Sequence, residues 1–354
     1  MLHRNLIFLG VFVVACGSST DQGDDSGTTT DSGSPQGDSG SQTDGATNPD
    51  GGNPGADAGG DSGQTQTGKV IFVVAMENHD ETEIIGDMTD APYINKTLLP
   101  LYATTSNFQD PLTHSIPSEP HYVWMEAGTN KFSDTTFTTD SDPSSTNSTK
   151  ETNHLVTQLQ TAGISWMSYQ EGITAGTCPV SSIPAKYYAA KHDPFVFFQD
   201  VAGKPPASGN ANCIAHHKPI TSLSDDIKNS TVASYDFVTP SLCNDMHGAG
   251  GCPQGTTDAE NILAGDTWLK NNLQPMIDYA VAHDGYVFVV WDEGDSTQTM
   301  PFIAIGKNVK VKYSGATMYT HSSLLKSEEE ILGVTVLPAV SGANDFADLF
   351  TQFP

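Results

Sequence analysis

Two continuous apolar runs mark the chain, Val70 to Met76 (Val-Ile-Phe-Val-Val-Ala-Met) and Tyr286 to Trp291 (Tyr-Val-Phe-Val-Val-Trp). Both are rich in β-branched and aromatic residues and lack polar alternation, the pattern of strands covered on both faces. Ile164 to Tyr169, Tyr235 to Thr239 and Pro301 to Ile305 are shorter runs of the same kind. Helical periodicity lies between them: His154 to Thr161, Trp268 to His283 with Leu269, Leu273, Met276, Ile277 and Ala280 on one face, and Ser322 to Leu332. Pro275 is expected to kink or restart the second helix. Strands alternating with helices predict an α/β domain with a mostly parallel central sheet flanked by helices. No internal repeat is visible.

The pattern changes before Lys69. Residues 1–16 read as an export signal: His3 and Arg4 precede an apolar run from Leu6 to Ala15, too short to span a bilayer. The run ends Val13-Val14-Ala15-Cys16-Gly17, which resembles the lipobox of bacterial lipoproteins, so Cys16 is the expected lipidation site. Membrane attachment would then be through acyl chains alone. The expected location is the bacterial cell envelope, at the outer membrane or cell surface. In residues 17–68 the only apolar side chains are Ala46, Ala56 and Ala58, and the rest is Gly, Ser, Thr, Asp, Gln, Asn and Pro. Such a segment cannot bury enough surface to offset ordering entropy and reads as a disordered tether. Residues 69–354 are the expected catalytic domain.

Charge narrows the partners. The 354 residues carry a formal net charge of -27, which disfavours nucleic acid. Nine Asp fall in the tether; from Lys69 onward 33 acidic residues face 14 lysines, a balance near -19. Arg4 is the only arginine, so any anion site must rely on metal, Lys, His or backbone amides. Beyond Cys16 four cysteines remain, an even number that suits an oxidising compartment. Three pairings are possible, and Cys178 with Cys213 and Cys243 with Cys252 close short loops. No Cys-x-x-Cys spacing supports a zinc cluster.

In open parallel sheets the ligand site lies beyond the carboxyl ends of the strands. The first long run leads into Glu77-Asn78-His79-Asp80, the second into Asp292-Glu293-Gly294-Asp295, and Tyr235 to Thr239 is followed closely by Asn244-Asp245-Met246-His247. Oxygen ligands gathered at buried strand tips repel one another unless a cation sits between them. This donor mixture suits a divalent ion and does not choose among Mg, Mn, Ca and Zn. A single acidic residue at such a position more often caps a helix or faces water; two doublets and an Asp-x-His favour metal.

The segment Thr113-His114-Ser115-Ile116-Pro117-Ser118-Glu119-Pro120-His121-Tyr122 supplies a nucleophile. Ser118 precedes a helix-compatible run and is placed to act as N-cap, where free amides and the helix dipole bind phosphate and favour an alkoxide. Capping alone is the bland alternative, and Ser115 is a weaker second candidate.

These segments resemble one family. Met76-Glu77-Asn78-His79, Pro117-Ser118-Glu119-Pro120-His121-Tyr122, Lys191-His192-Asp193-Pro194-Phe195, Leu242-Cys243-Asn244-Asp245-Met246-His247, Gly265-Asp266-Thr267-Trp268-Leu269, Trp291-Asp292-Glu293-Gly294-Asp295 and His321-Ser322-Ser323-Leu324-Leu325 follow in one order over residues 70–335. Together they are similar to the bacterial phosphoesterase family of acid phosphatases, phosphatidylinositol phosphatases and phospholipase C enzymes, related to the alkaline phosphatase fold. The resemblance implies metal-dependent phosphoester hydrolysis, with Glu77, Asn78, Asp292 and Glu293 as metal ligands and Ser118 as nucleophile. It also implies that His192, Asp245, His247 and His321 line the phosphate pocket or complete the metal shell. His114 and Lys191 join them as expected substrate-binding residues, since Lys and His must replace arginine. The chain departs from the family at Asp80, where Ser is common, and at His121, where Asn is common.

The leading expectation is an exported, lipid-anchored acid phosphatase-like phosphomonoesterase acting on a small molecule or a lipid headgroup. The alternatives are a phospholipase C-type phosphodiesterase and a catalytically inactive binding module. His79 reads as a hydrogen-bond partner behind the ligands. His154 and His283 are expected on solvent-facing helix positions, and His216 and His217 are expected to point opposite ways on extended backbone, all four non-catalytic. Lys326 with Glu328, Glu329 and Glu330 reads as a solvated helix face.

Overall fold

The computed structural model describes residues 68–353. The export signal, Cys16 and all but the last residue of the tether lie outside the described residues. Ile71–Met76 is a strand with every residue buried, and so is Tyr286–Trp291, as apolar runs without alternation require. They are adjacent and parallel in an eight-stranded sheet ordered Tyr313–Gly315, Ala103–Thr105, Phe302–Gly306, Tyr286–Trp291, Ile71–Met76, Tyr235–Thr239, Trp166–Gln170, His217–Pro219. Five of the seven strand pairings are parallel. The α/β class and the mostly parallel sheet are as expected.

Phe302–Gly306 returns antiparallel to Tyr286–Trp291. The connection from Trp291 to Phe302 is too short for the crossover that a parallel neighbour needs. The strands Ala103–Thr105, His217–Pro219 and Tyr313–Gly315 are three residues each and carry no apolar run that could announce them. The predicted Ile164 to Tyr169 segment forms its strand at Trp166–Gln170.

Helix Asp258–Ala282 starts ten residues before the predicted one, at a capping box in which Thr257 and Glu260 exchange hydrogen bonds. Pro275 lies inside it without ending it, which corrects the expected restart. Leu269, Leu273, Met276, Ile277 and Ala280 are all buried, and that face holds the helix against the loss of one backbone bond. Asp266 on the same helix accepts the Tyr93 and Ile94 amides at 2.9 Å each, so that part of the family pattern is structural. Among the described residues no helix is long and apolar enough to cross a membrane. Cys178 is bonded to Cys213 and Cys243 to Cys252, the short-loop pairing.

Several polar residues are placed differently from expectation, most of them buried. His154 precedes helix Leu155–Ala162 and is fully buried, 2.6 Å from Glu126 Oε1 and 3.1 Å from Asp200 Oδ2. His283 is half-buried and stacks on Tyr279. His216 ends a helix and stacks on Trp166, while His217 opens a strand beside Asp193, so the pair is not on uniformly extended backbone and both are buried. Glu328 and Glu329 are buried as well. In helix His321–Leu332, Glu328 falls on the stripe of Leu324, Leu325, Ile331 and Leu332, so helical spacing places it inward despite its charge.

Candidate active site

The register of the two central strands builds the site. Met76 pairs with Trp291, so Glu77 and Asp292 leave the sheet side by side, and the Asp292 amide donates to the Met76 carbonyl at 3.0 Å. The third segment is drawn in when the Glu77 amide donates to the Asp245 carbonyl at 2.9 Å. Asn78 turns the chain at φ 31° and Met246 at φ 84°, left-handed backbone that non-glycine residues adopt under constraint. The turn lets the Asn78 amide donate to Asp292 Oδ1 and its side chain donate to Glu293 Oε1, each at 3.1 Å.

Glu77, His192 and Asp245 are buried and offer ligand atoms within 4.8 Å of one another. His192 Nε2 lies 3.3 Å from Glu77 Oε1 and its Nδ1 lies 3.7 Å from Asp245 Oδ2. Burial pushes the Glu77 carboxyl well above the carboxylate range, and Asp292 and Asp245 push it further. Burial raises Asp245 and Asp292 too. Asp245 Oδ2, Asp292 Oδ2, Asn78 Oδ1 and His192 Nε2 have no hydrogen-bond partner although buried. Repelling carboxylates with free oxygens beside an unbonded imidazole nitrogen fit a divalent cation. His192 and Asp245 thus stand with Glu77 inside the cluster, the second of the two places expected for them, and are not among the residues lining the neighbouring cleft.

Ser118 is the first residue of helix Ser118–Ala127, and Pro117, not Ser118, is its N-cap. The hydroxyl does not cap the helix. It donates to Glu293 Oε1 at 3.1 Å and lies 3.3 Å from Glu77 Oε2. Ser115 lines the same cleft as Ser118 but is exposed, and its hydroxyl pairs with Thr113 at 2.7 Å rather than with a carboxylate. Ser118 lies on the wall of a cleft of about 340 Å³, with His114, Lys191 and His247 at its sides. Lys191 forms an ion pair with Asp140 there. The His247 amide donates to Asp245 Oδ1 at 2.9 Å, tying the cleft to the carboxylate cluster.

His321 is fully buried and bonds the Trp291 carbonyl through Nε2 at 2.9 Å. Burial lowers its pKa to about 4, and Nδ1 has no partner. His79 bridges Glu83 and the Met246 carbonyl at 3.2 Å each, a supporting position as expected. The roles of three residues escaped the sequence reading. Tyr122 donates to Glu77 Oε1 at 2.5 Å and stacks on His192; its spacing of four from Ser118 puts both on one helix face, a usable signal. His121 lies 2.9 Å from Asp110 Oδ1, with its other nitrogen 3.0 Å from the Pro117 carbonyl; nothing in the sequence marks Asp110.

Both departures from the family pattern hold structure together. Asp80 accepts the Ser296 hydroxyl at 2.5 Å and the Thr297 amide at 2.9 Å, pinning the loop after Glu293. That loop needs Gly294, where a Cβ would meet the Thr297 carbonyl oxygen at 2.2 Å. His121 braces the turn that delivers Ser118.

An α/β sheet with a hydroxyl set against clustered carboxylates at its carboxyl rim fits a hydrolase acting on phosphoric esters, and the relatives establish that class. The chain belongs to the Phosphoesterase family, whose model matches residues 102–335. A phosphatidylinositol-3-phosphatase of Mycobacterium tuberculosis is 27% identical over 282 residues, covering 79% of this chain and 82% of that protein. A probable acid phosphatase of Kluyveromyces lactis is 27% identical over 274 residues, 74% of this chain and 57% of that longer protein. Among solved structures, a phosphonate monoester hydrolase from Silicibacter pomeroyi aligns at TM-score 0.50 and 12% identity, over 81% of this chain and 77% of that one. An inactive murine ectonucleotide pyrophosphatase/phosphodiesterase 5 in complex with AMP aligns at TM-score 0.51 and 10% identity, over 80% and 99%. At those identities the likeness is one of fold.

Proposed function

We propose that the protein is a metal-dependent phosphomonoesterase of acid phosphatase type with Ser118 as nucleophile. The observation that carries this reading is the Ser118 hydroxyl held between Glu293 Oε1 and Glu77 Oε2 at the wall of the cleft. The phosphatase names of the relatives support a monoester substrate. Glu77, His192 and Asp245 would hold the cation, with Asn78, Asp292 and Glu293 around it. Such an ion supplies positive charge that offsets the carboxylates and the phosphoryl oxygens.

In this reading Ser118 Oγ gives its proton to a neighbouring carboxylate and attacks phosphorus in line. The carboxyl passes that proton to the departing oxygen, which leaves as the alcohol, and water then hydrolyses the phosphoserine to inorganic phosphate and the restored Ser118 hydroxyl. Glu77 is kept in place by Tyr122, and Glu293 by Asn78. Lys191, His114 and His247 line the cleft walls, where they would meet the departing group.

Export and anchoring at Cys16 are part of the proposal. The two disulfides support an oxidising compartment, and the bacterial cell envelope follows from the N-terminal pattern. Membrane fractionation of cells expressing Cys16→Ser tests this, since retention of that variant in the membrane fraction contradicts anchoring there. The enzymatic reading is tested with p-nitrophenyl phosphate and bis(p-nitrophenyl) phosphate in Mg, Mn, Ca or Zn after chelation. Metal-restored release of phosphate from the monoester, with little diester cleavage, is expected; preference for the diester overturns it.

A further inference from the structure

The chain places a carboxylate against the one lysine lining the cleft, and it invests a good deal of structure in doing so. Lys191 and Asp140 both line the cleft and are paired with each other. Asp140 sits on a segment tied down at both sides. On one side Glu119, buried beside Ser118, accepts the Ser141 amide at 2.8 Å, the Thr139 hydroxyl at 3.0 Å and the Asn147 amide group at 3.1 Å. On the other, Asp142 accepts the Ser182 amide at 2.8 Å and the Ser182 hydroxyl at 2.5 Å, and that hydroxyl accepts the Ala190 amide at 2.9 Å. The Glu119 and Asp142 anchors therefore connect the helix start bearing Ser118 to the backbone just before Lys191. The Asp140 side chain itself bonds only Lys191 among the hydrogen bonds of that segment.

We infer that Asp140 is a specificity-determining residue: by neutralising Lys191 at the cleft it biases the enzyme toward phosphomonoesters of neutral or cationic alcohols and against those whose alcohol carries a second anionic group. The inference rests on the phosphomonoesterase reading above. An anionic leaving group would meet a compensated lysine together with the carboxylates of Asp140 and Asp295, and no arginine is present in the domain to draw it in. A neutral or cationic alcohol meets no such penalty. Asp140 is partly exposed, so its effect is moderated by solvent and by salt.

The test compares wild type with Asp140→Asn, and with Asp140→Ser as a second variant, on p-nitrophenyl phosphate, phosphoethanolamine and glucose 1,6-bisphosphate. Because the anchors of the segment lie elsewhere, both variants are expected to melt with the wild type. The KM for the bisphosphate is expected to fall about three- to tenfold, with kcat within about twofold and little gain for phosphoethanolamine. The difference shrinks in 1 M salt, about three Å of Debye length, which a purely structural effect would not do. Calorimetry with inorganic phosphate gives a readout without turnover, and the variants are expected to bind it more tightly. Equal changes on all three esters, or unchanged phosphate affinity, overturn the inference. Failure of the wild type to hydrolyse any ester removes the phosphomonoesterase reading and with it the specificity role; tighter phosphate binding by the variants would then leave only the neutralisation of Lys191 by Asp140 standing. Normal wild-type turnover with no shift in the variants removes the inference alone.

Discussion

The Ser118 hydroxyl donates to Glu293 Oε1 at 3.1 Å, joining residues 175 positions apart in the chain. The contact sets a helix start against a strand end, and it distinguishes Ser118 from the exposed Ser115. Ser118→Ala is therefore expected to lower kcat by at least about 10³-fold while leaving metal content and melting temperature unchanged. Steady-state kinetics on p-nitrophenyl phosphate with elemental analysis checks this; activity within tenfold of wild type sinks the assignment.

Asp245 and Glu77 share the buried cluster with His192, and Asp245 Oδ2 and His192 Nε2 have no hydrogen-bond partner there. Asp245→Asn and Glu77→Gln are each expected to weaken divalent-metal affinity by at least about tenfold, the scale seen even for groups behind a ligand. Titration calorimetry on chelated protein measures it. Wild-type affinity in both variants would remove these residues from the metal shell.

His154 predicts a pH dependence remote from the cleft. Burial alone lowers its pKa, but hydrogen bonds to Asp200 and Glu126 outweigh this and bring it to about 9. A histidine raised on folding stabilises most below its unfolded pKa and loses that contribution as pH rises through the folded value. The contribution is thus expected in full below about pH 6.5, worth about 2–3 kcal/mol, and lost towards pH 9 and above. His154→Gln should melt well below wild type at pH 6, with the gap closing near pH 10. A gap independent of pH contradicts the ion pairs as its source.

Glu328 has the opposite consequence for the engineer. Burial pushes its carboxyl well above the usual range, Glu126 and Glu329 add to this, and neither oxygen has a hydrogen-bond partner. A carboxyl raised on folding favours the fold below its unfolded pKa, and that advantage drains away as pH rises toward the folded value. Glu328→Gln, which keeps the shape without the charge, is expected to gain about 1–3 kcal/mol over wild type at pH 8 and nothing near pH 4. Chemical denaturation at the two pH values decides; a loss of stability at pH 8 would mean that an ionised Glu328 is used by the fold.

Much of this molecule was legible in one dimension. The apolar runs Val70 to Met76 and Tyr286 to Trp291 had to be doubly covered strands, because burying such a segment on one face alone would leave the other in water. Their polar continuations named Glu77, Asn78, Asp292 and Glu293, and the apolar face of the long helix was readable from spacing. Short strands such as Ala103–Thr105 were invisible, since three residues carry no period and owe their state to a neighbouring strand. Buried polar residues were misread for a related reason. The charge of Glu328 argued for solvent, whereas its position on an apolar stripe sent it inward, and only packing decides between those tendencies.

The amino-acid order by itself determined the α/β class, the strand tips that carry acidic pairs and the family motifs, because each depends on residues close together along the chain. Tertiary structure alone decided that Ser118 faces Glu293, that His192 stands between Glu77 and Asp245, and that Asp140 faces Lys191. Those relations join segments tens to hundreds of residues apart, and parallel register and loop anchoring set their distances, which no local pattern encodes.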